Sequence, residues 1–240
     1  MERRRRTAPR LAGGLLACAV VPAMLLTGCS SGSGGSDASD SSGSASTTSA
    51  GASGSTSAEP TLAAVKYATL PDSCKAVTAS TVAALVPKAK SARGTAAKSS
   101  DPGTRGGCSW TGNGSDGYQY RWLSVTLQRF PSDPQLGSGE KQAQNSYTQQ
   151  AGALGRVKGA TTSPLTVPGD QAVSVAGLTT VAKVTSQNDT VIARSGNVVV
   201  LVEYSGAGLV GKKNPSARTI ISGAQHAAEN AVAALAAANT

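Results

Sequence analysis

A cysteine at position 29, directly behind Leu26-Thr27-Gly28, limits what this chain can fold into more than any other residue. Ahead of it stand Arg3, Arg4, Arg5, Arg6 and Arg10, then an apolar stretch from Leu11 to Leu26. A basic start, an apolar run too short to span a bilayer and small residues before the cut make a secretory signal peptide. A cysteine in that position matches the bacterial lipobox, in which the thiol is acylated and becomes the first mature residue. Residues 1–28 are expected to be removed and Cys29 to be the lipidation site. The mature protein is expected on the outer face of the cytoplasmic membrane, extracytoplasmic and lipid-anchored.

Removing the leader also changes the charge argument. Five arginines and one glutamate leave with it, which lowers the formal charge of +9 to +5. Nucleic-acid binding calls for a concentrated basic stripe. Here Lys88, Lys90, Arg93, Lys98 and Arg105 share one loop-like segment and Lys212 and Lys213 another, which reads as a solvated basic surface. No nucleic-acid partner is expected. From Ser30 to about Ala58 the chain is Ser, Gly, Thr and Ala with Asp37 and Asp40. Such a stretch buries too little apolar surface to offset the entropy of ordering it, so residues 29–60 read as a lipidated cysteine on a disordered tether. As a flexible coil of about 30 residues its r.m.s. span is roughly 30 Å. Residues 61–240 are left for one domain of common size.

That compartment decides the cysteines. Cys18 leaves with the signal peptide and Cys29 takes the lipid, so Cys74 and Cys108 remain as one pair where disulfides persist. Closing a loop of roughly 35 residues stabilises by ~3–4 kcal/mol, mostly by restricting the unfolded chain. A redox or zinc site would need Cys-x-x-Cys spacing or further ligands, and neither accompanies this pair. No cofactor or metal is expected.

Phe130 is the only phenylalanine, so the core must come from Val, Leu, Ile and Ala. Thr78 or Ser80 can cap a short helix that runs to Val86 and stops at Pro87. Cys108-Ser109-Trp110 opens a strand, and Asn113-Gly114 and Asp116-Gly117 supply turn chemistry. Tyr120 to Phe130 reads as a strand in which Trp122, Ser124, Thr126 and Gln128 alternate with Leu123, Val125 and Leu127. Gly137 to about Leu154 is polar, Gln-rich and helical, with a weak apolar face. Three strands are expected next: Gln171–Val175, Thr179–Ser186 and Thr190–Tyr204, the last bent by a hairpin turn at Ser195-Gly196-Asn197. Val198 to Val202 is apolar on both faces, which marks a central strand. Asn214-Pro215-Ser216 starts a long C-terminal helix in which Ile220, Ile221, Ala224, Ala228, Val232 and Leu235 recur at helical spacing. Short turns between strands make the sheet antiparallel. The expected fold is α+β: an antiparallel sheet covered by helices on one side, with one disulfide.

These features together resemble an actinobacterial secreted lipoprotein family, domain of unknown function 3558. The shared elements are the lipobox, the Ser/Gly tether and Leu70-Pro71-Asp72-Ser73-Cys74 before a short helix. Cys108-Ser109-Trp110 leading into a strand and a late Gly-Asn hairpin before an apolar strand complete the set. The resemblance runs from Leu70 to Leu235 and implies a location and a disulfide. It implies no catalytic residue.

No motif completes a catalytic set. Gly206-Ala207-Gly208-Leu209-Val210-Gly211-Lys212-Lys213 matches the Gly-x4-Gly-Lys skeleton of a phosphate-cradling loop, but Lys213 replaces the hydroxyl residue that holds Mg²⁺. A glycine-rich connection before the last helix explains it better. Ser138-Gly139-Glu140-Lys141 and Ser195-Gly196-Asn197 mimic two motifs of serine acyl-enzymes, whose third, a Lys-Thr-Gly strand, is missing. His226 is the only histidine and reads as a solvated surface residue. Trp110 and Trp122 are core anchors by habit, yet binding sites often recruit the few large aromatics a domain has, so both are candidate ligand contacts. The expected function is a lipid-anchored binding or accessory module of the cell envelope, without catalysis, whose partner is a small ligand or an envelope protein. The alternatives are a small serine hydrolase using Ser138 or Ser195, and a structural subunit of a membrane complex.

Overall fold

A computed structural model describes residues 62–166 and 169–240. Cys29, its leader and the Ser/Gly segment lie outside the described residues. The elements run α1 (Ala79–Leu85), β1 (Lys88–Ala89), β2 (Thr95–Ala96), β3 (Arg105–Asn113), β4 (Gln119–Arg129) and α2 (Gly139–Gly155). Then follow β5 (Thr161–Pro164), β6 (Gln171–Val181), β7 (Val184–Ser195), β8 (Val198–Gly208) and α3 (Ala217–Ala237). The strands form one antiparallel sheet in the order β1-β3-β4-β8-β7-β6-β5, with β2 also paired to β3. The expected fold class is observed, with the long C-terminal helix and the Cys74–Cys108 disulfide in place.

Each helix starts where a hydroxyl side chain can take an orphan backbone N–H. Thr78, Ser138 and Ser216 cap α1, α2 and α3 by accepting from Thr81 N, Lys141 N and Thr219 N. Strand periodicity then sorts the side chains. On β8, Val198, Val200, Val202 and Tyr204 join the larger core cluster, while Val199 and Leu201 turn to the other face. Against the first face lies α3, whose Ala224, Ala227, Ala228 and Ala231 are fully buried. Small residues let the helix approach a sheet of branched side chains closely, and Gly223 shows the limit: a Cβ there would stand 2.7 Å from the Tyr204 ring. A chain poor in phenylalanine fills its core this way, with many short contacts rather than a few large ones.

Helix cover on one side holds for α1 and α3, whereas α2 rests on the opposite face. There Ala143, Tyr147, Ala151 and Leu154 meet Val173, Val175, Ile192, Val199 and Leu201. A strand apolar on both faces needs cover on both, so the run at Val198–Val202 already called for this second layer.

The strand boundaries after residue 170 differ from those expected. One continuous hairpin replaces the two short strands: β6 and β7 pair from Gln171↔Arg194 to Val181↔Val184. The turn between them is Ala182-Lys183, with φ of 48° and 68°. Two-residue hairpin turns of this hand usually recruit Asn and Gly. Without either, the turn is invisible to sequence reading.

The second hairpin turn sits at Gly196, φ 51°, as expected. Asn197 does a different job from its neighbour. Fully buried, it donates through Nδ2 to Tyr67 O and Phe130 O at 3.0 Å each and accepts from Tyr67 N at 2.9 Å. It thereby fastens the incoming N-terminal segment to this end of the sheet.

Candidate functional site

Register separates the two tryptophans. Trp110 lies opposite Leu123, on the face that α1 and α3 cover, and Trp122 lies opposite Thr111 and Ser205, on the other. Trp110 is accordingly 1% exposed, and its Nε1–H donates to Ala92 O at 3.3 Å. It packs with Cys108 beneath the loop at Gly94. Nothing can reach that ring from solvent, so Trp110 is a core anchor.

Trp122 is half-buried and borders a cavity of about 320 Å³. The floor is the α2-side face of β4, β8, β7 and β6, and the wall is the end of α2 with the connection to β5. That connection folds back by two turns, in which Val157 N–H donates to Leu154 O and Ala160 N–H to Val157 O, both at 3.0 Å. Gly159 carries φ 82°, a conformation costly for residues with a Cβ. One end of the cavity is apolar, with Leu154, Val157, Ala160 and Val175; the other brings Trp122 together with Glu203, Ser205, Asn188 and Thr190. Two of these polar groups are already oriented. Ser124 Oγ donates to Glu203 Oε2 at 3.1 Å, and Asn188 Nδ2 donates to Thr179 Oγ1 at 2.7 Å. A flat aromatic ring, a placed carboxylate and an apolar wall suit a small molecule with one polar and one apolar part.

A second hollow, about 660 Å³, lies between β6 and the start of α3. Its lining holds no aromatic ring, and Lys158 is its one titratable side chain. It offers a ligand less to recognise.

The most perturbed group stands behind the floor. Asp189 is opposite Tyr204 on β8, so its side chain belongs to the α3 face. It is fully buried, and burial raises its carboxyl to about 6, against which the Ser174 hydroxyl at 2.7 Å acts in the lowering direction. Among the described residues its Oδ2 has no partner. Asp189 borders the cavity, but its side chain lies fully buried on the covered face, which makes it a structural group.

The serine candidates come apart. Ser138 is the α2 cap, and Ser195 is buried with its Oγ 2.9 Å from Tyr67 Oη. His226 lies on the exposed side of α3, 3.5 Å from Glu229. Among the described residues, neither serine is bonded to a histidine or a carboxylate, so neither forms a nucleophile–base pair. The phosphate-loop mimic also dissolves: Gly206 and Gly208 are strand residues of β8, and Lys212 lies 4.6 Å over the Tyr118 ring. Lys88, Lys90, Arg93, Lys98 and Arg105 are all exposed. No group of three or more His, Cys, Asp or Glu able to hold a metal exists among the described residues. Sequence reading reaches Trp122 through its place on the polar side of β4, but misses Glu203 and the Leu154–Ala160 wall. Glu203 carries a faint signal as the one charge in an apolar strand.

Comparison with known proteins agrees with the resemblance. Residues 24–215 match the family described as protein of unknown function (DUF3558). The matched region takes in Cys29 and stops before α3. No match is found among curated proteins. Among solved structures, a similar one is that of LpqN, described as involved in cell envelope biogenesis of Mycobacterium tuberculosis, at 16% identity and a TM-score of 0.29. That likeness covers 57% of this chain and 82% of the other. At that level it carries no argument about this chain.

Proposed function

The chain belongs to the DUF3558 family, and from that premise we propose that it is a non-catalytic, lipid-anchored binding module of the cell envelope. Its small ligand sits in the cavity between Trp122 and the end of α2. The observation that carries this reading is the cavity itself. It places the half-buried Trp122 ring and the oriented Glu203 carboxylate opposite an apolar wall. Signal peptide, lipobox and Cys29 supply the anchor and the location.

Native mass spectrometry of the chain, purified from the membranes of cells that make it, tests the ligand. A bound mass that leaves on denaturation is expected. Trp122→Ala should lower its occupancy at least about tenfold, with the unfolding transition followed alongside to show that the variant is folded. A clean apo mass would sink the proposal.

A further inference from the structure

We propose that one end of the sheet, made by the β3–β4 turn, the β6–β7 turn and the β8–α3 connection, docks on an anionic phospholipid bilayer. This does not rest on the ligand reading above.

Among the described residues, nine large hydrophobic side chains are exposed, and six of them, Tyr118, Tyr120, Val181, Val184, Leu209 and Val210, lie in or beside these three connections. Val210 is fully exposed, Val181 69%, Tyr118 56% and Val184 54%. The register brings them together. Gln119 opposite Gly208 and Gln187 opposite Gly206 put the start of β4, the end of β8 and the β6–β7 turn at the same edge. Hydrogen bonds tie the three connections to one another. Leu209 N–H donates to Tyr118 O at 2.9 Å, and Asn214 accepts from Gly208 N at 2.8 Å while its Nδ2 donates to Thr185 O at 2.9 Å.

Charge surrounds the apolar tips. Lys183, Lys212 and Lys213 are exposed in these connections, and Lys88 reaches Gly117 from β1. Asp116 is the single carboxylate among the three connections, and its Oδ1 accepts from Tyr118 N at 2.9 Å. Apolar tips rimmed by lysines match an anionic bilayer on both counts. Valine and leucine enter the acyl boundary while ammonium groups stay with the phosphates. Projecting turns also insert between lipids without needing the matched hollow that a protein partner would have to supply.

The chain enters the domain at the other end, where Tyr67 is held by Asn197. Attachment through the N-terminal segment therefore does not by itself bring these turns to a bilayer, which makes the two distinguishable. The test uses the full chain with Cys18→Ser and Cys29→Ser, leaving the disulfide as the only native cysteines. Val210→Cys or Leu136→Cys is added and labelled with an environment-sensitive fluorophore. With phosphatidylglycerol vesicles, the label at position 210 should shift to the blue and brighten at least about twofold. It should lose most of that response in phosphatidylcholine vesicles or at 1 M salt, where the Debye length is ~3 Å. The label at position 136 should stay unchanged. No shift at position 210, or equal shifts at both positions, overturns the proposal. Reversing charge with Lys212→Glu and Lys213→Glu should remove most of the shift at position 210; an undiminished shift overturns the proposal as well. Leu136, Val210, Lys212 and Lys213 are exposed, so the fold survives these changes.

Discussion

Asp189 shows what a single buried group can do to this protein. Its carboxyl titrates at about 6 in the fold, against 3.8 for a freely solvated aspartate, because ionisation inside the α3-covered layer is unfavourable and only Ser174 compensates. The folded state therefore binds this proton more tightly than the unfolded chain. Stability from the group is fully present below about pH 3.8, falls as the pH rises through 3.8–6, and is gone above that window. The difference corresponds to ~3 kcal/mol at neutral pH. Asp189→Asn keeps an acceptor for the Ser174 hydroxyl and removes the charge. It should stabilise the domain by ~2–3 kcal/mol at pH 7 and by little near pH 4, measured by urea unfolding at both values. An equal gain at the two pH values would show that ionisation is not the cause. Nothing local in Gln187-Asn188-Asp189-Thr190 reveals this burial, since it follows from which face of β7 the helix covers.

Among the elements, the β6–β7 hairpin departs most from its sequence. Its 11 paired positions run without a break through a turn that places Ala182 and Lys183 in the left-handed region. Residues with a Cβ are strained there, and the long ladder on either side holds them in place. Ala182→Asn with Lys183→Gly should therefore raise stability by about 1 kcal/mol, read as a higher midpoint of thermal unfolding. A lower midpoint would mean that the turn is not of this type. The helices are far more legible. Hydroxyl caps at Thr78, Ser138 and Ser216 are local chemistry, and each helix begins within two residues of its expected start. The weak apolar face of α2 is legible too. What that face covers is not, because the second layer depends on strands that follow it in the chain.

For the molecule entire, two cysteine predictions divide stability from location. The Cys74–Cys108 bond closes a 34-residue separation and ties the segment before α1 to β3. Cys74→Ser should cost ~3–4 kcal/mol in unfolding free energy and leave Cys108 reactive toward thiol reagents. Free thiol at these positions in the native protein would contradict the bond. Cys29→Ala should release the protein from the membrane fraction, or leave it unprocessed, without altering the unfolding of the domain. Unchanged lipid labelling of that variant would remove the anchor from the proposal.

Local chemistry was enough for the pairing of two cysteines, the helix starts and the α+β class. Each rests on neighbours in the chain or on a count with one solution. Tertiary structure alone decided that Trp110 is enclosed and Trp122 available, that Asp189 is buried, and that Glu203 faces the end of α2. Strand pairing and helix placement choose which side of a sheet is covered, and the residues that make that choice lie far apart in the sequence.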